Sequence, residues 1–439
     1  MQIKVEKKEG SQITFDIEVP KETVNQLFSK AFKKIVKDVE VPGFRKGRVP
    51  RKIFEQKYGK EPIEEEATKQ LYALVYEKIL KEENITPITY PRMEVLKLSE
   101  DEDALLKVEV VTKPEVKLGN YKGVKVKGNK IKVEEKEIKE QLERLQKINA
   151  EYPPLLENRP TQEGDWLALE MRPASGEIPY LRQDTESIWY KLGSDQLPPS
   201  FYRELLGAKI GDEKLIETTI PSDHPRRELA GKKIRLNVKV KDIRKERLPE
   251  LNDEFAKKLN FENMQALKER IKKELESFKG KREEERIKAE IVEKIVKNSK
   301  VDIPPLLLEE ETEEKLKNLE EELRKKGIDL ESYLNQQKMS KESLEKILRE
   351  QAEFELKTLF VLDKIAQEEK IEVSDEEIDK RLELVVQGED KKNKAKLLKE
   401  ELARRGRLGS LIQRMRNEKT IDFLYENAEV SPKPLVFSK

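Results

Sequence analysis

Between Val41 and Pro50 the chain reads Val-Pro-Gly-Phe-Arg-Lys-Gly-Arg-Val-Pro, one aromatic ring among three cations on a short stretch bracketed by Pro42 and Pro50. Gly43 and Gly47 can adopt backbone angles that other residues resist, and the prolines interrupt regular structure, so a presented tip is expected here rather than a core segment. Ammonium and guanidinium groups meet phosphates or carboxylates while an exposed ring stacks or fills a groove. The chemistry is therefore recognition of a surface of structured RNA and RNA-bound protein. From Lys30 to Lys60 eleven cations stand against Asp38, Glu40 and Glu55, an excess of eight that a whole-chain net charge of +1 conceals. A generic basic loop is more often a solvated charge run, so the spelling of the tip matters.

Gly43-Phe44-Arg45-Lys46-Gly47, followed by Val49-Pro50 early in a chain of 439 residues, closely resembles the ribosome-docking signature of the trigger factor family, bacterial chaperones that meet nascent polypeptides at the tunnel exit. The resemblance implies two kinds of partner. One is the large ribosomal subunit near the exit, protein and rRNA together; the other is nascent and unfolded polypeptide.

Composition bounds the rest. This length suggests two to four domains. With 41% charged and 36% hydrophobic residues, the surface is large for the core it encloses, so one compact globule is not expected. The excess of lysine and glutamate also fits a protein from a hot environment. Cysteine is absent, which excludes disulfides, thiolate metal sites and thiol nucleophiles. A single histidine, His224, excludes a multi-histidine metal site, and no Gly-x-x-x-x-Gly-Lys-Ser/Thr loop is present for nucleotide. No cofactor or metal is expected. The charged start Met1-Gln2-Ile3-Lys4 lacks the apolar run of a signal peptide, and no stretch approaches a membrane span, so a soluble cytoplasmic protein is expected.

The elements that must position the tip follow from periodicity. Alternation through Ile13-Thr14-Phe15-Asp16-Ile17-Glu18-Val19 predicts a strand ending at Pro20. Val24, Leu27, Phe28, Ala31, Phe32, Ile35 and Val36 then mark a helix face that stops before Pro42. A second helix is predicted over Ile63 to Leu80, and strands over Arg92 to Leu98 and Ala104 to Val111, giving an α+β unit with its tip between two helices. Lys113 to Gly123 is a proline- and glycine-punctuated connector similar to the linker of the family. Ile131-Lys132-Val133-Glu134-Glu135-Lys136-Glu137-Ile138 opens a helix. The start recurs as Ile371-Glu372-Val373-Ser374-Asp375-Glu376-Glu377-Ile378, where Ser374 and Glu377 can form a capping box and Val373 can staple onto Ile378. If both are helix starts in one domain, the stretch between about Glu151 and Arg247 is an insertion into it.

That stretch loses helical period, and strands are predicted at Trp166 to Met171, Lys214 to Ile220 and Lys233 to Ile243, with a short helix at Phe201 to Leu206. Leu192-Gly193-Ser194-Asp195-Gln196-Leu197-Pro198-Pro199-Ser200-Phe201, continuing to Glu213, resembles the central segment of FK506-binding-protein-type (FKBP-like) prolyl isomerases. In such enzymes an apolar pocket takes the X-Pro bond out of water and stabilises the twisted amide, lowering a barrier of ~18–20 kcal/mol. The resemblance implies a pocket of Met171, Ile188, Tyr190, Leu197, Phe201, His224 and Leu236. It also implies a weakened enzyme, because Pro198 stands where the family offers a backbone N–H and proline has none. Aromatic pocket positions are replaced at Met171, His224 and Leu236. His224 itself is read as a surface loop residue, since this chemistry needs no general base.

From residue 252 the chain reads as helical nearly throughout. Stripes run through Ile287, Ile291, Val292, Ile295 and Val296, through Leu316, Leu319 and Leu323, and through Leu344, Ile347, Leu348, Ala352, Leu356, Leu359 and Phe360. Breaks are expected at Pro304-Pro305, Gly327 and Gly388. Such stripes are usually core, but the resemblance implies helical arms that leave apolar patches for clients.

The fold class expected is multidomain α+β. Its parts are an N-terminal α+β ribosome-binding domain (1–112), a linker with the first helix of the C-terminal domain (113–150), an inserted small β-rich FKBP-like domain (151–247) and a mostly α-helical chaperone domain with arms (248–439). The function expected is ATP-independent, ribosome-docked shielding of nascent chains with an accessory isomerase and a weak homodimer in the free state. A free prolyl isomerase dimerised by its helices is the runner-up, and Pro198 speaks against it. A coiled-coil structural protein would need sustained heptads, and the short stripes with proline breaks lack them.

Overall fold

The computed structural model describes residues 1–82, 85–155, 159–174, 187–194, 199–219, 231–388 and 390–432. Strands β1 (Gln2–Glu9) and β2 (Gln12–Val19) form a hairpin, and the alternating stretch from Ile13 to Val19 lies in β2, which ends before Pro20 as expected. Gly10 supplies the positive φ of 57° at the turn. Helix α1 (Lys21–Ile35) starts on Pro20 and buries Val24, Leu27, Phe28 and Ala31. A short helix α2 (Arg51–Tyr58) precedes α3 (Glu61–Glu82), so the tip lies between α1 and a helix that periodicity did not reveal. With one buried residue, Phe54, α2 has no stripe to read; its signals are Pro50 before it and Gly59 at φ 78° after it. Ile63, Ala67, Leu71, Val75 and Ile79, four apart along α3, form a single buried ridge.

Strands β3 (Arg92–Lys97) and β4 (Ala104–Val111) complete an antiparallel sheet in the order β1-β2-β4-β3. Phe15 and Ile17 face Val108 and Leu106 across the register, and α1 and α3 share the core with them.

The predicted connector is stitched down. Its short strand β5 (Val116–Lys117) and, just beyond it, β6 (Lys125–Lys127) bury Val116 and Val126. Helix α4 (Glu135–Ile148) follows. Strands β7 (Trp166–Pro173) and β8 (Ile188–Lys191), helix α5 (Pro199–Leu205) and strands β9 (Glu213–Thr219) and β10 (Lys233–Arg244) build an antiparallel sheet in the order β8-β7-β10-β9. Strand β8 was not expected from the sequence. Four residues with Trp189 and Tyr190 adjacent give too short an alternation to read.

Helices α6 (Asp253–Lys258) and α7 (Met264–Asn298) lead to β11 (Lys300–Val301), which pairs with β5. Helices α8 (Pro305–Lys325), α9 (Leu330–Gln337), α10 (Lys341–Glu368), α11 (Asp375–Val385), α12 (Lys391–Arg404) and α13 (Leu408–Glu426) follow. The last strand, β12 (Glu429–Ser431), runs parallel to β6. Pro304-Pro305, Gly327 and Gly388 all fall at helix boundaries, as expected.

The chain divides into two compact units, one of 1–127, 287–321 and 330–431, the other of 128–286, 322–329 and 432–439. In the first, Ile287, Ile291 and Ile295 of α7 pack with Ala352, Leu356, Phe360 and Val361 of α10 around Val116 and Val126. Ile378, Leu382, Ala395 and Met415 form a smaller core among α11, α12 and α13. In the second, the sheet of β7 to β10 has its own core with α5, and Ile138 and Leu142 of α4 pack with Phe255, Leu267 and Ile271.

The two similar helix starts are built alike, α4 in the second unit and α11 in the first. At α11 the Ser374 hydroxyl accepts from the Glu377 N–H at 3.3 Å, and the Ser374 N–H donates to the Glu377 carboxylate at 2.8 Å. At α4 the Glu134 N–H donates to Glu137 at 2.9 Å. Each carboxylate is held by a lysine that also caps a carbonyl five residues upstream of it. Lys279 reaches Glu137 (2.6 Å) and the Lys132 carbonyl (2.7 Å); Lys419 reaches Glu377 (2.8 Å) and the Glu372 carbonyl (2.7 Å).

Candidate functional site

The tip is held by three buried valines. Val36 at the end of α1, and Val41 and Val49 on either side of the loop, belong to the core of the N-terminal sheet and helices. Between the last two, Pro42 to Lys46 are all exposed, and the Phe44 ring keeps 41% of its surface open. Two successive turns give the loop its shape, with the Phe44 N–H donating to the Val41 carbonyl at 3.1 Å and the Arg48 N–H to the Arg45 carbonyl at 3.0 Å. Gly47 donates to the Val36 carbonyl at 3.1 Å and tethers the loop to the end of α1. Gly43 and Gly47 sit at φ 87° and 77°, a region that side chains with a Cβ enter at a cost of about 1–2 kcal/mol.

Several of the eleven cations are already engaged. Lys34 pairs with Glu66 at 2.6 Å. Arg51 makes a two-pronged contact with Glu100, 2.6 Å on each side, and reaches Glu55 at 2.7 Å, which fixes the start of α2. Lys46 pairs with Glu40 at 2.9 Å. The hydrogen bond from Lys46 holds the Glu40 carboxyl below the usual range, and Glu40 in turn raises Lys46. Arg45 and Arg48 make no ion pair among the described residues. The five predicted tip residues, Gly43 to Gly47, thus come together on one surface, with Arg45 uncommitted and Lys46 latched. Glu40 was not singled out from the sequence, although its place in the charge count was the available signal.

The second predicted site lies on the β7–β10 sheet. Cross-strand register places Met171 opposite Val238, Leu236 opposite Pro173, Ile188 opposite Leu169 and Tyr190 opposite Leu167, all on the face that α5 covers. Phe201 of α5 and Leu236 are buried, Met171 and Tyr190 are half-buried against the same core, and Ile188 is exposed. Burial raises the Tyr190 hydroxyl above its ordinary pKa. Five of the seven predicted pocket residues therefore share one face, while Leu197 and His224, with Pro198, lie outside the described residues. Among the described residues no group of acidic or histidine side chains could hold a metal ion. No helix among them is long and apolar enough to cross a membrane.

Family models described as bacterial trigger factor protein and as its C-terminus match residues 1–145 and 263–426. A trigger factor of Geobacillus sp. (strain WCH70) is 34% identical over 98% of this chain and 100% of its own length. That of Bacillus subtilis (strain 168) is 33% identical over 97% and 100%. A solved structure titled "Promiscuous Substrate Recognition in Folding and Assembly Activities of the Trigger Factor Chaperone" is similar with a TM-score of 0.51 and 27% identity, covering 97% of this chain and 99% of that one. The chain belongs to the bacterial trigger factor family. Docking at the ribosome and shielding nascent chains as an ATP-independent chaperone are the role of that family, and the free-isomerase alternative is not favoured.

Proposed function

We propose that Gly43 to Gly47 is the segment through which this chain docks at the tunnel exit of the large ribosomal subunit, on protein and rRNA. The observation that carries the reading is the exposure of Phe44, Arg45 and Lys46 between two valines buried in the core. Arg45 and Lys46 would meet backbone phosphates or acidic side chains, and the Phe44 ring would stack or enter a groove. A photo-crosslinking residue at position 44 tests the placement: it should label tunnel-exit components of bacterial ribosomes, and labelling spread evenly over the particle would refute it.

The division of labour proposed is ribosome binding by 1–112, a linker and first helix over 113–150, an FKBP-like domain over 151–247 and client shielding by 248–439. Client contact is supported by apolar side chains left open on the helices. Leu384 is 81% exposed and Val385 66% on α11, Leu397 62% on α12, and Phe354 and Leu359 are open on α10. The same surfaces support a weak homodimer when no ribosome is present. Sedimentation at graded concentrations should show it, and a strict monomer throughout would contradict it. A cytoplasmic location goes with ribosome docking.

The isomerase is proposed to be weak. Met171, Ile188, Tyr190, Phe201 and Leu236 supply an apolar face, but Pro198 has no N–H with which to hold the substrate carbonyl. Turnover of an X-Pro peptide should fall at least about tenfold below a dedicated isomerase, since a lost oxyanion-type donor costs on the order of a hundredfold. Pro198→Gly should raise it. Native turnover equal to that of a dedicated isomerase would overturn the proposal.

A further inference from the structure

Within the unit of 1–127, 287–321 and 330–431, the turn between β1 and β2, the stretch from Thr112 to Lys117 and the stretch from Ser299 to Asp302 line a cavity of about 780 Å³. Among the described residues five lysines face it, Lys8, Lys113, Lys117, Lys300 and Lys357, against Glu115 and Asp302, with no arginine. Two of the five are committed elsewhere: Lys113 pairs with the buried Asp363, which Arg416 shares, and Lys357 pairs with Glu353 at 2.6 Å. Lys8, Lys117 and Lys300 make no ion pair among the described residues.

Lys117 and Lys300 are direct partners across the antiparallel β5–β11 pair. Like charges directly opposite on a ladder repel; Glu115 and Asp302, two residues along on the same side, offset this in part, but neither forms an ion pair with Lys117 or Lys300 among the described residues. Ser11, also in the wall, is 8% exposed and its hydroxyl has no hydrogen-bond partner among the described residues. Burial first, then Arg416 and Lys364, lowers the pKa of Lys113. Apolar Ile13, Ile85 and Val301 complete the wall, while Lys8, Lys117 and Lys300 are open to solvent.

We propose that this cavity binds a compact oligophosphate, the class of pyrophosphate and tripolyphosphate. Lysine ammonium groups are strongly hydrated point charges that can meet the several oxygens of a phosphate chain from different directions. The volume exceeds what a single phosphate fills. An anion between Lys117 and Lys300 converts their repulsion into two attractions, and Ser11 can turn to donate a further hydrogen bond. This reading goes beyond ribosome docking and does not depend on it, since no residue of the 41–50 tip contributes.

Titration calorimetry at low salt tests it, with pyrophosphate and tripolyphosphate as probes. The background is the full chain carrying F44A, R45A and K46A, which removes the competing cations of the tip. One equivalent should bind, and Lys117→Gln with Lys300→Gln should weaken it at least tenfold. The same pair of changes should leave the anion-free melting temperature unchanged or higher, because repulsion is relieved. Lys8→Gln alone, on an exposed strand position, should weaken binding by a smaller factor and guards against a folding defect in the double variant. No binding, or binding indifferent to all three lysines, overturns the proposal. A short glutamate peptide that binds more tightly than tripolyphosphate would also overturn it, assigning the cavity to acidic polypeptide.

Discussion

Glu40 is the residue that most clearly adjusts what the tip can do. Its pair with Lys46 at 2.9 Å joins two side chains open to solvent, so it contributes little to stability and a good deal to the local field. Changing Glu40 to Gln frees Lys46 and removes a negative charge from the tip. Ribosome affinity at low salt should rise by roughly two- to fivefold, and the dependence on salt should steepen by about one phosphate contact. An unchanged affinity would show that Lys46 is not part of the contact. The tip was legible in the sequence because its glycines, prolines and cations are local signals. The Glu40 latch was not, because an ion pair across a loop depends on a turn geometry that spelling alone does not fix. Likewise the register that brings Met171, Tyr190 and Leu236 to one face came from the family resemblance rather than from alternation, which is too brief in β8 to set it.

At the scale of elements, the capping boxes of α4 and α11 make the acid response predictable. Lys419, then the Ser374 N–H, holds the Glu377 carboxyl down to about 2, and Lys279 lowers that of Glu137. A carboxyl depressed in the folded state lends stability that is fully present above its unfolded pKa, ordinarily 4.5, and is lost as pH falls toward 2. The α11–α13 core should therefore loosen across that window, seen as a loss of hydrogen-exchange protection in α11. Lys419→Met should flatten the pH response while lowering protection at neutral pH; an unaltered response would contradict the clamp. The helix starts were readable as a repeated spelling, and Val373 packs with Ile378 in the core as the staple predicts. The miniature strands were not readable. Two or three residues carry no period, and the partner of β5 lies far along the chain at Lys300–Val301. Gly119 shows the consequence: a Cβ there would overlap the Asn298 carbonyl oxygen. Gly119→Ala should destabilise this unit by about 1–3 kcal/mol, the usual cost of overpacking, measured by denaturant unfolding.

For the whole molecule, separate cores in two compact units predict unfolding that is not a single two-state event. Leu71→Ala, in the ridge of α3, and Leu169→Ala, in the sheet of β7 to β10, should each cost about 2–5 kcal/mol and lower different calorimetric transitions. If both lowered one shared transition, the units would not unfold separately. The central claim is that a small exposed tip connects this molecule to the ribosome, and co-sedimentation tests it most directly. The native chain and a variant with Phe44, Arg45 and Lys46 changed to alanine are spun with bacterial ribosomes at several salt concentrations. The native chain should pellet, less so as salt rises, while the variant stays in the supernatant with an unchanged circular dichroism spectrum. Equal pelleting of the two chains at every salt concentration would contradict the account.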